Sequence, residues 1–542
     1  MQALCQRRVA LLPTMVPLCL LAWFVAGSPS DSGIPPAEFL FGLCQAEGTG
    51  TIPPALSVLT YDQMVLLKET IGINSIRIFV HPTLVGLPQR TWQGPEPIRY
   101  SSFSEDAYNF TALDALVGSI VRAKLFPIVL PLPVDEYTNF MYLPNLTRFN
   151  NASATPPRDY SGISAVDEVI AFTTSITTHI QDTFGTPFGV VFTEFCGQAH
   201  AGPAQRTHER GRWARLVASV RSTAPLAEIY GPELCLSLSW YDQLNAQREA
   251  TCERNFAALA PPTYFDTLAN YAETFDSPAY SFYSLAYLGA PDNTPQRACN
   301  TSEVLAISDT VTKVVRPHIN GKRWLWSEHG WGSTQDFFLG QPVKTDTANN
   351  TAMDLLHQNW ATLFFGTDHA RGVMLWQAKD SCDIPQACTG TGILDTAGKP
   401  HDTFEAWKAI GAAIRQEWSF MSTFHETLNK HGLPVAEPDG FVGRSEKIVT
   451  RLLNHTLAAY VDSPPGFISE EGVTLQLGNV GGRHLNCLLC DQSPGVKGTV
   501  RLHHNSSVVT VTGLTPRRFY LFNVIDPPQL RQKRTSKIGG LE

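Results

Sequence analysis

Short apolar runs alternate with longer stretches of helical periodicity through most of this chain. The runs Phe39–Gly42, Ile73–Phe79, Phe126–Leu130, Gly189–Glu194, Leu234–Leu238, Ala279–Tyr283, Trp324–Trp326 and Gly372–Trp376 are predicted strands. Around them the pattern predicts helices over Asp62–Thr70, Phe110–Ala123, Ala165–Phe184, Arg212–Ser222, Glu303–Val315, Met353–Gly366 and Thr403–Ile414. Eight strands separated by helices predict the α/β class, a (β/α)8 TIM barrel over residues 37–422. Long loops rich in Pro, Gly and Asn follow predicted strands, as at 82–100 and 135–160, and barrels of this kind build their active sites from such loops.

The pattern changes beyond the barrel. Leu457–Tyr460, Gly472–Leu477, Gly498–Leu502, Val508–Val511 and Phe519–Phe522 are short alternating runs with turn residues between them. They predict a small antiparallel β-sandwich over residues 440–526, followed by a polar tail at 527–542 that carries the basic run Arg531–Arg534. The module either binds carbohydrate or packs on the barrel.

The stretch with the strongest chemical signal is Lys322-Arg-Trp-Leu-Trp-Ser-Glu-His-Gly-Trp331. An apolar strand ends there on one carboxylate, Glu328, with indole rings on either side. A barrel strand that delivers an acid to its C-terminal end suits nucleophilic attack on a sugar, and aromatic faces suit stacking on pyranose rings. The competing explanation is a buried strand whose last Glu merely caps a neighbour.

The segments Gly72–Ile78, Ile229-Tyr-Gly-Pro-Glu233, Trp326-Ser-Glu-His-Gly-Trp331 and Gly392–Phe404 resemble, in order and spacing, the clan-A retaining glycoside hydrolases. The cellulase/mannanase-type and β-xylosidase-type families are the nearest in pattern. The resemblance implies Glu328 as nucleophile and Glu194 as general acid/base. It implies Arg77 beside the nucleophile, keeping it ionised, Trp376 as the floor of the sugar subsite, and Tyr283 as a hydrogen-bond partner of the nucleophile. Trp331 and Thr193 would contact substrate. Thr193 departs from the pattern, which has Asn directly before the acid/base; a hydroxyl cannot reproduce the amide's geometry at the sugar 2-hydroxyl.

Retaining hydrolysis requires two carboxyl groups about 5–5.5 Å apart that ionise differently. Arg77 would hold one as the anion, while Phe192 and Phe195 would desolvate Glu194 and keep it protonated. Asp135, Glu136 and Asp380 are the reserve proton donors. The resemblance implies a retaining hydrolase of β-linked glucan, mannan or xylan that works by double displacement. The same residues leave open a glycan-binding descendant without catalysis, or a transglycosylase.

Charge and targeting signals narrow the setting. The formal charge is −8, and loss of the leader with Arg7 and Arg8 takes it to −10, which disfavours nucleic acid as partner and suits a neutral oligosaccharide or polysaccharide. Residues 1–27 read as a secretory signal peptide: Arg7 and Arg8, then an uncharged stretch interrupted by Pro13 and Pro17, ending at Val25-Ala-Gly27. Sequons at Asn109, Asn145, Asn151, Asn300, Asn349, Asn454 and Asn505 agree with a secreted glycoprotein. The mature chain is expected to be a monomer with no stable membrane insertion, no metal and no other cofactor. Of 11 cysteines, nine follow the leader. Cys382 with Cys388, Cys235 with Cys252, and Cys487 with Cys490 are the expected disulfides. His503-His504 reads as a solvated pair on a strand.

Overall fold

The computed structural model of the 542-residue chain describes residues 39–45, 58–87, 108–131, 163–193, 203–235, 272–283, 316–330, 350–421 and 448–525, except 368, 381, 385–386, 389–391, 454, 462–472, 479–483, 492–495, 497–498 and 505–507. Eight parallel strands close into a barrel in sequence order. They are β1 (Leu40–Gln45), β2 (Ser75–Val80), β3 (Phe126–Pro131), β4 (Phe188–Thr193), β5 (Ala227–Cys235), β6 (Ser277–Tyr283), β7 (Trp324–Gly330) and β8 (Ala370–Trp376). The described helices are α1 (Tyr61–Thr70), α2 (Thr111–Arg122), α3 (Ile163–Phe184), α4 (Pro203–Thr223), α5 (Asn350–Phe365) and α6 (Phe404–Met421). The predicted helix at Glu303–Val315, the leader and the basic tail lie outside the described residues.

Side chains alternate across each barrel strand, and that alternation builds two separate cores. Leu40, Cys44, Phe79, Ile128, Val191, Tyr230, Leu325 and Met374 fill the barrel interior. Phe41, Leu43, Ile76, Ile78, Phe192, Trp324 and Trp326 face outward and pack against helices such as α2, which turns Leu113, Leu116, Val117 and Ile120 inward. Burial of each large side chain contributes about 1.5–3 kcal/mol. Local signals support the elements: α1 opens with a capping box, in which the Thr60 hydroxyl accepts from Gln63 N and the Gln63 side chain accepts from Thr60 N.

Two sequence expectations are corrected here. Trp324 and Trp326 are 1% and 0% exposed and sit in the helix layer, so they do not stack on a ligand. The fifth strand begins at Ala227, seven residues before the predicted Leu234. The Gly231-Pro232 pair lies inside it as a bulge.

After α6, the described residues form seven further strands in two antiparallel sheets. One sheet, in the order β11–β12–β17–β14, uses Ile448–Leu452, Thr456–Val461, Phe519–Ile525 and His484–Leu489. The other, β13–β16–β15, uses Val473–Gly478, Val508–Leu514 and Arg501–His504. The strands at Ile448 and His484 were not anticipated. A short hairpin between β8 and α6 pairs β9 (Cys382–Ile384) with β10 (Ala387–Cys388) and sets Cys382 opposite Cys388. A disulfide joins Cys487 to Cys490. Cys252 lies outside the described residues. His503 and His504 are exposed, as expected, and the His504 ring lies 5.1 Å from that of His484.

The first of these sheets is continuous with the barrel's outer core. Ala458, Tyr460, Phe519 and Leu521 belong to the same cluster as Trp360, Phe364 and Trp407. The Phe364 and Phe519 rings are 5.3 Å apart. Phe519 N donates to His357 Nδ1 at 3.1 Å, and His455 N donates to buried Glu417 at 2.6 Å. Arg451 donates to Phe364 O. The packing role of the module is therefore built into the core.

Candidate active site

Arg77 stands on β2 beside Cys44 of β1 and Ile128 of β3, fully buried within the barrel. Its guanidinium is a fork with two carboxylates on its tines. Nη1 donates to Glu328 Oε1 at 2.8 Å and Nη2 to Glu233 Oε2 at 2.9 Å. Nη1 also donates to Ser327 O, and the guanidinium carbon lies 5.0 Å from the centroid of the Phe79 ring.

Irregular ladders deliver both carboxylates. On β7 the pairing with β8 shifts between Trp326 and His329, so Ser327 and Glu328 occupy a bulge. The flanking residues fix its ends: Trp326 packs outward, and the His329 ring meets Asn359 O at 3.1 Å and Thr362 Oγ1 at 3.0 Å on α5. Asn359 Nδ2 donates to Gly330 O at 2.9 Å. On β5 the ladder to β4 and β6 skips from Tyr230 to Glu233. Gly231 there has φ +136°, and a Cβ at that position would lie 2.9 Å from Phe192 O. A glycine is required for the bulge, and the bulge brings the following carboxylate to Arg77.

Exposure separates the two acids. Glu233 is 4% exposed and Glu328 17%, so Glu328 is the one a ligand can reach. Cys44 completes the buried layer: its Sγ donates to Ser327 O at 3.3 Å, and Arg77 Nη1 lies 3.6 Å from it. Burial pushes the Cys44 thiol well above its ordinary value, so it remains a neutral donor despite the neighbouring guanidinium.

Trp376 ends β8 opposite Gly330 and is partly exposed. Its ring meets Phe79 edge to face at 5.8 Å, which places Trp376, Phe79, Arg77 and Glu328 in one chain of contacts. The backbone of Tyr283 ends β6 opposite Gly330, two positions beyond Ser281, which pairs with Glu328. The backbone of Thr193 ends β4 opposite Glu233. Glu194, Phe195, Trp331, Asp135 and Glu136 lie outside the described residues.

One expectation about the proton donor changes. Phe192 packs outward against Trp213 and Phe275, with ring centroids at 5.8 and 6.1 Å, and the Glu194 that it was expected to desolvate lies outside the described residues. Asp380 is 7% exposed, accepts from Gly392 N at 2.7 Å and pairs with His401 Nε2 at 2.8 Å. It pins the segment after β8 and is not placed as a free acid.

Glu233 was not singled out as a site residue from the sequence. Its signal was present in Ile229-Tyr-Gly-Pro-Glu233, where an apolar pair, a glycine and a proline precede a carboxylate. A bulge reading of Gly-Pro would have exposed it.

No family model matches the chain, and no curated protein matches it. Solved structures do. A glycoside hydrolase family 30 subfamily 8 xylanase from Clostridium acetobutylicum is 12% identical, with 90% of this chain and 96% of that chain covered and a TM-score of 0.41. A glucosidase from Croceicoccus marinus is 13% identical over 91% and 98% of the two chains, with a TM-score of 0.44. A GH39 enzyme from Xanthomonas axonopodis pv. citri is 13% identical over 92% and 100%, with a TM-score of 0.43. The fold itself stands on the closed barrel of eight parallel strands.

Proposed function

We propose that this chain is a secreted retaining glycoside hydrolase acting on a β-linked glycan of the glucan, mannan or xylan type. Glu328 attacks the anomeric carbon, a carboxylate-to-carbon bond forms, and the glycosidic bond breaks. Glu194 gives its proton to the departing oxygen and then takes one from the water that releases the sugar. Trp376 offers an apolar face to the ring in the subsite, and Thr193, Tyr283 and Trp331 contribute substrate contacts.

One observation carries this reading: Glu328 lies near the C-terminal end of β7, partly exposed, with the buried Arg77 at 2.8 Å. The guanidinium favours the charged, attacking form of the carboxylate. A capping Glu would need no buried cation aimed at it from across the barrel. Thr193 favours a second reading, a glycan-binding protein without turnover, because it lacks the amide expected before the acid/base. Secretion and glycosylation are supported by the leader pattern, the Cys487–Cys490 disulfide and the exposure of Asn109, the one sequon asparagine among the described residues.

Glu328→Ala, assayed on activated aryl β-glycosides, should lose turnover while retaining the wild-type melting profile. Azide or formate should restore part of the rate by entering the vacated space. Wild-type rates in the variant would remove Glu328 from the mechanism. Binding of glycans by the wild type without turnover of any of them would favour the second reading.

A further inference from the structure

Arg77 carries one positive charge, and two carboxylates share it inside the barrel. Such sharing is costly unless the second acid serves the site, since buried charge is expensive to retain and an apolar residue of similar volume would pack as well. Glu233 is held in place by a device of its own, the Gly231-Pro232 bulge, whose glycine no other residue can replace without meeting Phe192 O. It lies almost wholly out of solvent and bonds the Nη2 tine, opposite the tine that meets Glu328. Its role differs from that of a proton donor, because the contact it makes is that of a carboxylate acceptor on a guanidinium.

We propose that Glu233 is a positioning residue for the nucleophile. It fixes the plane of the Arg77 guanidinium so that Nη1 points at Glu328, and it draws off part of the charge that would otherwise act on Glu328 alone. Glu328 then stays anionic without being so strongly stabilised that attack is slowed. Among the described residues, Arg77 of β2 donates to Glu328, and the Cys44 thiol of β1 interacts electrostatically with it. The flanking strands β6 and β8 bring Ser281, Tyr283 and Trp376 alongside. The role of Glu328 as nucleophile rests on the function proposed above, whereas the coupling of Glu233 to Glu328 through Arg77 does not.

The test uses the full-length secreted protein with Glu233→Gln, which keeps the side chain's shape and removes its charge, and Glu233→Asp, which keeps the charge and shortens the reach. Titration of 13C-labelled glutamate carboxyls, with the Glu328 signal assigned by its loss in Glu328→Gln, reads the coupling whether or not the protein is an enzyme. The Glu328 midpoint should fall by about 1 pH unit in Glu233→Gln, because a like charge has been removed. In Glu233→Asp it should move much less. On activated aryl β-glycosides, kcat should fall at least tenfold in Glu233→Gln with KM little changed, and the acid limb of kcat/KM should move down with the midpoint. An unmoved midpoint in a folded Glu233→Gln protein overturns the proposal. So does a loss of melting temperature in both variants with an unshifted midpoint, which would make Glu233 purely structural. A wild type that turns over no glycoside defeats the proposed function instead, and the midpoint still decides the coupling.

Discussion

Arg77 and Glu328 lie 251 positions apart in sequence and meet at 2.8 Å inside the barrel. Arg77→Met would leave two carboxylates without their cation, one of them 4% exposed. Breaking such a buried pair costs about 3–5 kcal/mol, so the variant should give little soluble protein and melt far below wild type. Arg77→Lys keeps the charge but cannot reach both acids as a fork, so it should fold and lose most of its activity. Thermal melts and aryl-glycoside rates on the two variants check both statements.

Gly231→Ala tests the bulge on β5. The backbone there is at φ +136°, and the new methyl would meet Phe192 O at 2.9 Å. A strained backbone position of this kind costs about 1–3 kcal/mol, and relief by flattening the bulge would withdraw Glu233 from Arg77. Lower stability and lower activity are expected together; a fully stable and active variant would show that the bulge is dispensable.

The pair His401–Asp380 predicts a pH dependence of stability. The hydrogen bond to Asp380 is the largest influence on His401 and raises its pKa above the ordinary 6.5. A raised folded value means that the folded protein binds the proton more tightly than the unfolded chain. The stabilisation is therefore complete below about pH 6.5 and fades as the pH rises through the raised value. The gap in melting temperature between wild type and His401→Asn should be wider at pH 5.5 than at pH 9. A gap that widens with pH would reverse the assignment.

The C-terminal module should not be separable. Its Phe519, Leu521 and Tyr460 are buried in the core that includes Trp360 and Phe364 of α5. A chain ending near Ser422 would expose this surface and leave Glu417 without the amide of His455 that it accepts. Low soluble yield and loss of the cooperative melt are expected, and a stable, active truncated chain would contradict the packing role.

Much of the barrel was legible because period-2 and period-3.6 patterns survive wherever a strand or helix buries one face, as in Ile73–Phe79 and Phe110–Ala123. Glu328 was legible because an apolar run ends on it abruptly. What escaped was irregular. The bulge at Gly231-Pro232 breaks the strand period, so the start of β5 and Glu233 were both missed. The direction of Trp324 and Trp326 was misread because a strand's period shows which residues share a face, not which face meets the helices.

The proton donor has its own test. Glu194→Gln should cripple substrates with poor leaving groups by about 10²–10⁴-fold and spare the glycosylation step on activated aryl glycosides. Equal losses on both would place the donor elsewhere.

The central claim is that Glu328 becomes covalently bonded to the sugar. The most direct measurement incubates the wild-type protein with an activated 2-fluoro β-glycoside, digests it and locates the added mass by peptide mass spectrometry. The account predicts one glycosylated peptide containing Trp326-Ser-Glu-His-Gly330, with the mass on Glu328, and no labelling of Glu328→Gln. A label on another carboxylate, or turnover of natural substrate with inverted anomeric configuration and no trapped species, would contradict it.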